Sequence, residues 1–219
     1  MLTNYKERNA CIMKLVDMTV TGYLEDLMSN SPAPGGGSVS ALSGAQGAAL
    51  AIMVADLTIG REKYAEFENV CKETKEEMLK IYEELKAGVD LDTDAFMKVA
   101  NAYKLPKETD EEKALRSKEI REANVGATEV PFHTVELSLK GLKLMKNMAG
   151  KYNPNCDSDF GVAAISFMVG CYGAWLNVKI NLSGVKDEEL KEKFSKAYDM
   201  MKEAETICNE LYFNVEANI

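Results

Sequence analysis

Apolar residues recur at helical spacing along almost the whole chain. Val16, Val20, Tyr23, Leu24, Leu27 and Met28 predict a first helix that stops at Ser29, Asn30 and Ser31. After a loop rich in proline and glycine, residues 38 to about 59 read as a second helix built almost wholly from small side chains. Ser40, Ser43, Gly44, Gly47 and Ala51 recur at three- and four-residue steps, as do Ala41, Ala45, Ala48 and Ala55, so two faces admit close neighbours. From residue 61 to about 102 a long apolar stripe runs from Phe67 through Met78, Leu85 and Val89 to Phe96 and Val99, with Gly88 a candidate bend. Thr109 and Glu112 have capping-box spacing for a fourth helix reaching about Met148, in which Pro131 predicts a kink or break near Glu129. Residues 158 to 182 are apolar on most sides. Asp187 caps a last amphipathic helix carrying Leu190, Phe194, Tyr198, Met201, Ile207, Cys208 and Leu211. No segment alternates in the manner of a strand, so the expected class is all-α, an antiparallel bundle of long helices. It forms one domain over residues 13–219, with residues 1–12 as a frayed, polar leader.

Composition narrows the function classes. The 219 residues carry 26 Lys and Arg against 35 Asp and Glu, a formal charge of -9, which disfavours nucleic acid or an anionic membrane as the general partner. Cys11, Cys71, Cys156, Cys171 and Cys208 are odd in number and scattered, so neither a disulfide framework nor a metal site is expected, and a reducing cytoplasm fits. The two most apolar stretches are interrupted by Ser, Gly, Gln or Asn, and the expectation is a protein neither exported nor embedded in a membrane.

Three features invite chemistry. Pro34 precedes Gly35, Gly36, Gly37 and Ser38, a glycine loop opening a helix, with Ser38 as the expected N-cap and the loop as a potential anion site; a plain turn before a core helix fits equally. Asp92 stands between Asp90 and Asp94, and on a helix residues two apart are rotated by about 200°, so Asp92 points away from its neighbours and along the apolar stripe. Burial there raises a carboxyl's proton affinity and suits it to proton transfer, whereas the structural alternative is a carboxylate tied to a backbone or a cation. Asp159, Asn177 and Asn181 lie on a small or polar line of an otherwise apolar helix, where they either line a site or, respectively, cap the helix and bond to neighbouring helices. Arg61, Lys107 and Arg116 are cations able to meet a carboxylate tail. His133, the sole histidine, lacks motif partners and reads as structural or solvent-facing.

Taken together, Pro34 to Ser38 with its alanine-rich helix, Gly60-Arg61, Asp90 and Asp92 with Ala95-Phe96, Leu105-Pro106-Lys107 with Arg116, Val130-Pro131, Ser158-Asp159, and Asn177 with Asn181 resemble the formimidoyltetrahydrofolate cyclodeaminase and methenyltetrahydrofolate cyclohydrolase family. The likeness runs in order from residue 14 to about 200. It implies an all-helical homodimer that binds a reduced folate near the subunit contact, with no cofactor beyond the tetrahydrofolate substrate. The family's catalytic aspartate falls on Asp92. The resemblance makes Pro34, Gly35, Gly36, Gly37, Ser38, Asp159, Asn177 and Asn181 candidates for holding the folate, and Arg61, Lys107 and Arg116 candidates for its glutamate tail. With no formimidoyltransferase domain in the sequence, any transferase is expected to be a separate protein. The favoured reaction at this stage is the cyclodeaminase, over the cyclohydrolase or a folate-binding protein without turnover.

Overall fold

A computed structural model describes residues 13–219; the expected leader, residues 1–12, lies outside the described residues. Seven α-helices and no strand are found among the described residues: α1 Val20–Leu27, α2 Gly36–Asp56, α3 Glu68–Tyr103, α4 Asp110–Met148, α5 Asp157–Asn181, α6 Glu188–Ser195 and α7 Ala197–Asn218. The all-α expectation holds, and most boundaries fall within a turn of those read from the pattern. Short 3-10 turns account for much of the difference, notably Glu62–Phe67 ahead of α3. The expected last helix is divided at Lys196 into α6 and α7.

The centre of the molecule is α2, packed against α3 on one side and α5 on the other, with α4 behind it and α7 closing the far side of α5. Small side chains allow this. A Cβ on Gly47 would lie 2.9 Å from the Ala163 carbonyl, and one on Gly170 would lie 2.9 Å from the Ser40 carbonyl and 3.0 Å from the Gly44 nitrogen. Helices α2 and α5 therefore meet backbone to backbone, running antiparallel, as the pairs Gly36 with Asn177 and Gly47 with Ala163 show. Both pass a length and composition test for crossing a membrane, yet about half of each apolar window, 56% and 50%, is buried inside the protein, as core helices are. Val54, Ile81, Leu85, Leu142, Phe160 and Phe167 fill the interior around them.

Two expectations about helix continuity change. Gly88 does not interrupt α3; it faces Ala41, with 3.3 Å between the position its Cβ would take and the Ala41 Cβ. Pro131 does not break α4, which runs unbroken from its Thr109–Glu112 capping box to Met148. The missing proline N–H leaves the Ala127 carbonyl without its helical donor, and Asn181 Nδ2 supplies a replacement at 2.7 Å from α5.

Some apolar residues stay outside. Of the α1 stripe only Tyr23 is buried, while Val20, Leu24 and Met28 are exposed. On α5, Val162, Ile165, Val169, Tyr172, Leu176 and Ile180 form an exposed line at heptad-like spacing. Met53 and Leu57 at the end of α2 are also exposed. Cys71, Cys156, Cys171 and Cys208 are free thiols buried in the interior, and burial pushes Cys171 up to about 12 and Cys208 up to about 11.

Candidate active site

The loop from Ser29 to Gly35 delivers the chain to the N-terminus of α2, with a cis peptide before a buried Pro34 and Gly35 as the N-cap. The expected cap, Ser38, is inside the first turn instead and is wholly buried. Its hydroxyl lies 2.8 Å from the Val89 carbonyl, 3.3 Å from Asp92 Oδ2 and 3.2 Å from Thr93 Oγ1. One hydroxyl proton cannot serve both acceptors, and the shorter bond goes to Val89. Ser38 thus ties α2 to α3 and stands beside Asp92 as a partial donor.

Asp92 is turned inward, as its helical face required. Its carboxylate lies across the α carbon of Gly37: a Cβ there would stand 1.9 Å from Oδ1. No residue but glycine leaves room for it. The helix N-terminus that looked like a site for an external anion is therefore occupied by the protein's own carboxylate. Burial raises the proton affinity of Asp92, outweighing the Ser38 hydroxyl and backbone N–H, which favour the charged form. The flanking aspartates do other things. Asp90 Oδ1 accepts from the Leu15 N–H at 2.6 Å and fastens the segment ahead of α1, while Asp94 is exposed and lines a groove between α3 and α4. Phe96, one turn beyond Asp92, is 40% exposed, contrary to its expected place in the core stripe.

Among the remaining candidates, Asn177 lies against the glycine loop, its Nδ2 3.5 Å from where a Gly36 Cβ would be, and donates to the Gly173 carbonyl at 2.9 Å. Asn181 is committed to Ala127. Arg116 stacks on Tyr103 and donates to its carbonyl from Nη2 at 3.2 Å, closing the C-terminus of α3, and Lys107 is exposed in the adjoining loop. At 1.5 Å per residue, that end of α3 lies about 16 Å from Asp92. Arg61 follows the far end of α2, about 30 Å from the glycine loop by the same measure, and Asp159 sits near the start of α5, about 27 Å along the helix from Asn177. One chain brings neither of them to Asp92.

A groove of about 900 Å³ between α3 and α4 is lined by Leu91, Asp94, Ala95, Lys98, Glu129 and His133 among others, but neither Asp92 nor the glycine loop is among its walls. His133 is half exposed there, its Nε2 2.7 Å from Glu84, in keeping with the expected solvent-facing role. The carboxyl between Gly37 and Ser38, with its perturbed proton affinity, is the better site on chemical grounds. Among the described residues, no group of three or more His, Cys, Asp or Glu side chains could hold a metal ion.

One residue near Asp92 escaped sequence reading. Tyr23 is buried against Ala41 and Val89, one turn from Ser38 and Asp92 respectively, and its hydroxyl has no hydrogen-bond partner among the described residues. Burial and the Asp92 charge hold its phenol above the ordinary value. Its only signal in the sequence was membership of an apolar stripe, which says nothing of a hydroxyl.

The formiminotransferase-cyclodeaminase family model matches residues 19–200. The chain belongs to that family. Within the formiminotransferase-cyclodeaminase family it is 39% identical to the methenyltetrahydrofolate cyclohydrolase of Methylorubrum extorquens over 202 residues, 92% of this chain and 97% of the relative. It is 34% identical to the formimidoyltransferase-cyclodeaminase of Mus musculus, spanning 88% of this chain but only 36% of that larger protein. The crystal structure of formiminotetrahydrofolate cyclodeaminase from Thermotoga maritima superposes with a TM-score of 0.76 at 25% identity, covering 92% of this chain and 95% of that one.

Proposed function

We propose that the protein is a folate one-carbon enzyme acting at the carbon between N5 and N10 of tetrahydrofolate, and that its reaction is hydrolysis of 5,10-methenyltetrahydrofolate to 10-formyltetrahydrofolate. The observation that carries the chemistry is the Asp92 carboxyl, half-buried, laid across Gly37 and raised in proton affinity. A carboxyl poised in this way can take a proton from water as the oxygen adds to the methenyl carbon. It can then return that proton to N5 as the carbon–N5 bond breaks, while the hydroxyl left on the carbon gives up its own proton to solvent and becomes the formyl C=O on N10. In its anionic form it also favours the cationic amidinium that is attacked. Phe96 offers a flat apolar surface one turn away. Lys107 and Arg116, about 16 Å along α3, lie at a distance suited to the glutamate tail. Asn177 and the loop from Pro34 to Ser38 flank the carboxyl. Arg61 and Asp159 take no part in this single-chain site, and Asn181 supports it through α4.

Preference for the hydrolase over the cyclodeaminase favoured from sequence rests on the near full-length match to a cyclohydrolase of similar size. The second reading remains specific: N10 attacks the formimidoyl carbon, ammonia leaves, and 5,10-methenyltetrahydrofolate forms, with the fold shared with a cyclodeaminase in its support. Its formimidoyltetrahydrofolate would then be supplied by a formimidoyltransferase. We take the exposed apolar line on α5 with Met53 and Leu57 of α2 as the face on which a second copy docks to form a homodimer. A cytoplasmic location suits this chemistry.

The test offers 5,10-methenyl- and 5-formimidoyltetrahydrofolate separately. Loss of the methenyl chromophore without ammonia is expected; ammonia release with gain of the chromophore selects the cyclodeaminase, and folate binding without either change discards both. Asp92→Asn is expected to lower turnover by roughly 10² to 10⁴ while folate still binds. Parental turnover in that variant removes Asp92 from the mechanism.

A further inference from the structure

Asp92 has few donors. Besides the Ser38 backbone N–H there is only a share of the Ser38 hydroxyl proton, whose better bond is the 2.8 Å one to the Val89 carbonyl rather than the 3.3 Å one to Asp92 Oδ2. For a half-buried carboxylate the loss of hydration outweighs that support, so ionisation is costly. Tyr23 has the opposite defect: a buried hydroxyl with no acceptor among the described residues, in a side chain only 8% exposed. Such an orphan also costs free energy. The two deficits lie together. Tyr23 packs on Ala41 of α2 and Val89 of α3, and the next turns of those helices toward the glycine loop carry Ser38 and Asp92.

We propose that the Tyr23 hydroxyl donates a hydrogen bond to the Asp92 carboxylate when that carboxyl is ionised, making Tyr23 a positioning residue that sets the proton affinity and orientation of the reactive oxygen. The role deepens the reading of Asp92 given above and rests on it only for the turnover arm of the test. Movement of the phenol onto Asp92 is local, because α1 belongs to a small satellite cluster with Leu15, Val16, Met18, Leu27 and Leu42, separate from the main core. Other groups around the pair are accounted for. From α3, Asp90 is held by the Leu15 N–H and Lys86 is paired with Glu83 at 2.6 Å; from the preceding turn, Asp17 acts on Lys86; Ser38 of α2 and Thr93 of α3 contribute hydroxyls. The phenol is the donor left over. The charge of Asp92 already bears on it.

The deciding measurement is infrared difference titration of the Asp92 carboxyl band, assigned by its disappearance in Asp92→Asn, in the parent and in Tyr23→Phe. Removing a donor to the charged form raises the midpoint, and an increase of about one pH unit is expected. Installing 3,5-difluorotyrosine at position 23, a more acidic donor that keeps the ring in place, is expected to lower it. In turnover, Tyr23→Phe should reduce kcat about tenfold with KM little changed, and should add nothing in the Asp92→Asn background. Midpoints that coincide in all three proteins overturn the proposal, as does a full additional loss in the double variant. The titration needs no turnover, so an error in the assigned reaction would leave the infrared shift intact, whereas an error in the pairing would remove it.

Discussion

At the scale of single residues, the contact between Gly37 and Asp92 has consequences that can be measured. In Gly37→Ala the new methyl would have to occupy the space of Oδ1, so the carboxyl must move. Loss of activity is expected, with a stability cost of about 1 to 3 kcal/mol in thermal unfolding. A helical structure with parental activity would contradict the geometry. Asp92 also makes a pH signature. Its folded-state proton affinity lies above the unfolded value, so in the window above the ordinary carboxylate range the native state binds more protons than the unfolded chain, and stability falls as pH rises through it. Asp92→Asn removes that slope. Its melting temperature relative to the parent should therefore be higher at pH 8 than at pH 4, and a difference independent of pH would argue that the carboxyl is not desolvated. The inward turn of Asp92 was legible in the sequence because helical rotation separates it from Asp90 and Asp94. The role of Ser38 was not, since a serine after glycines looks the same whether it caps its own helix or reaches across to Val89.

At the scale of elements, the seam between α4 and α5 explains how a proline is carried within a helix of 39 residues. Asn181 donates to the carbonyl that Pro131 leaves open, a pairing no local pattern encodes because the partners are 54 residues apart. Asn181→Leu is expected to cost about 1 to 2 kcal/mol by denaturant titration, and adding Pro131→Ala, which restores the helical donor, to recover most of it. Additive losses would show that the asparagine serves something other than Ala127. The sequence marked Asn181 as a polar group on an apolar helix but could not choose between ligand and neighbouring backbone. The small-residue faces of α2 were more informative, because a glycine such as Gly47 has value chiefly where another backbone approaches.

At the scale of the whole molecule, helix number and order followed from periodicity, since long amphipathic segments have few other ways to bury a stripe. Distances between candidate residues did not follow, and antiparallel packing of α2 and α5 put Arg61 and Asp159 at the end remote from Asp92. The outward apolar line on α5 sets a further expectation: sedimentation equilibrium should report a dimer, and Leu176→Lys, at a residue 64% exposed in the single chain, should yield monomers with little loss of helicity. A parent that sediments as a monomer would remove that face as an interface. The seam between α2 and α5 brings the two backbones together at Gly47 and Gly170, where there is no Cβ to separate them. The segment from Leu15 to Leu27, whose Leu15 N–H is held by Asp90 and whose Leu15, Val16, Met18, Tyr23 and Leu27 pack in the satellite cluster, is the element on which any widening of the space around Asp92 would draw.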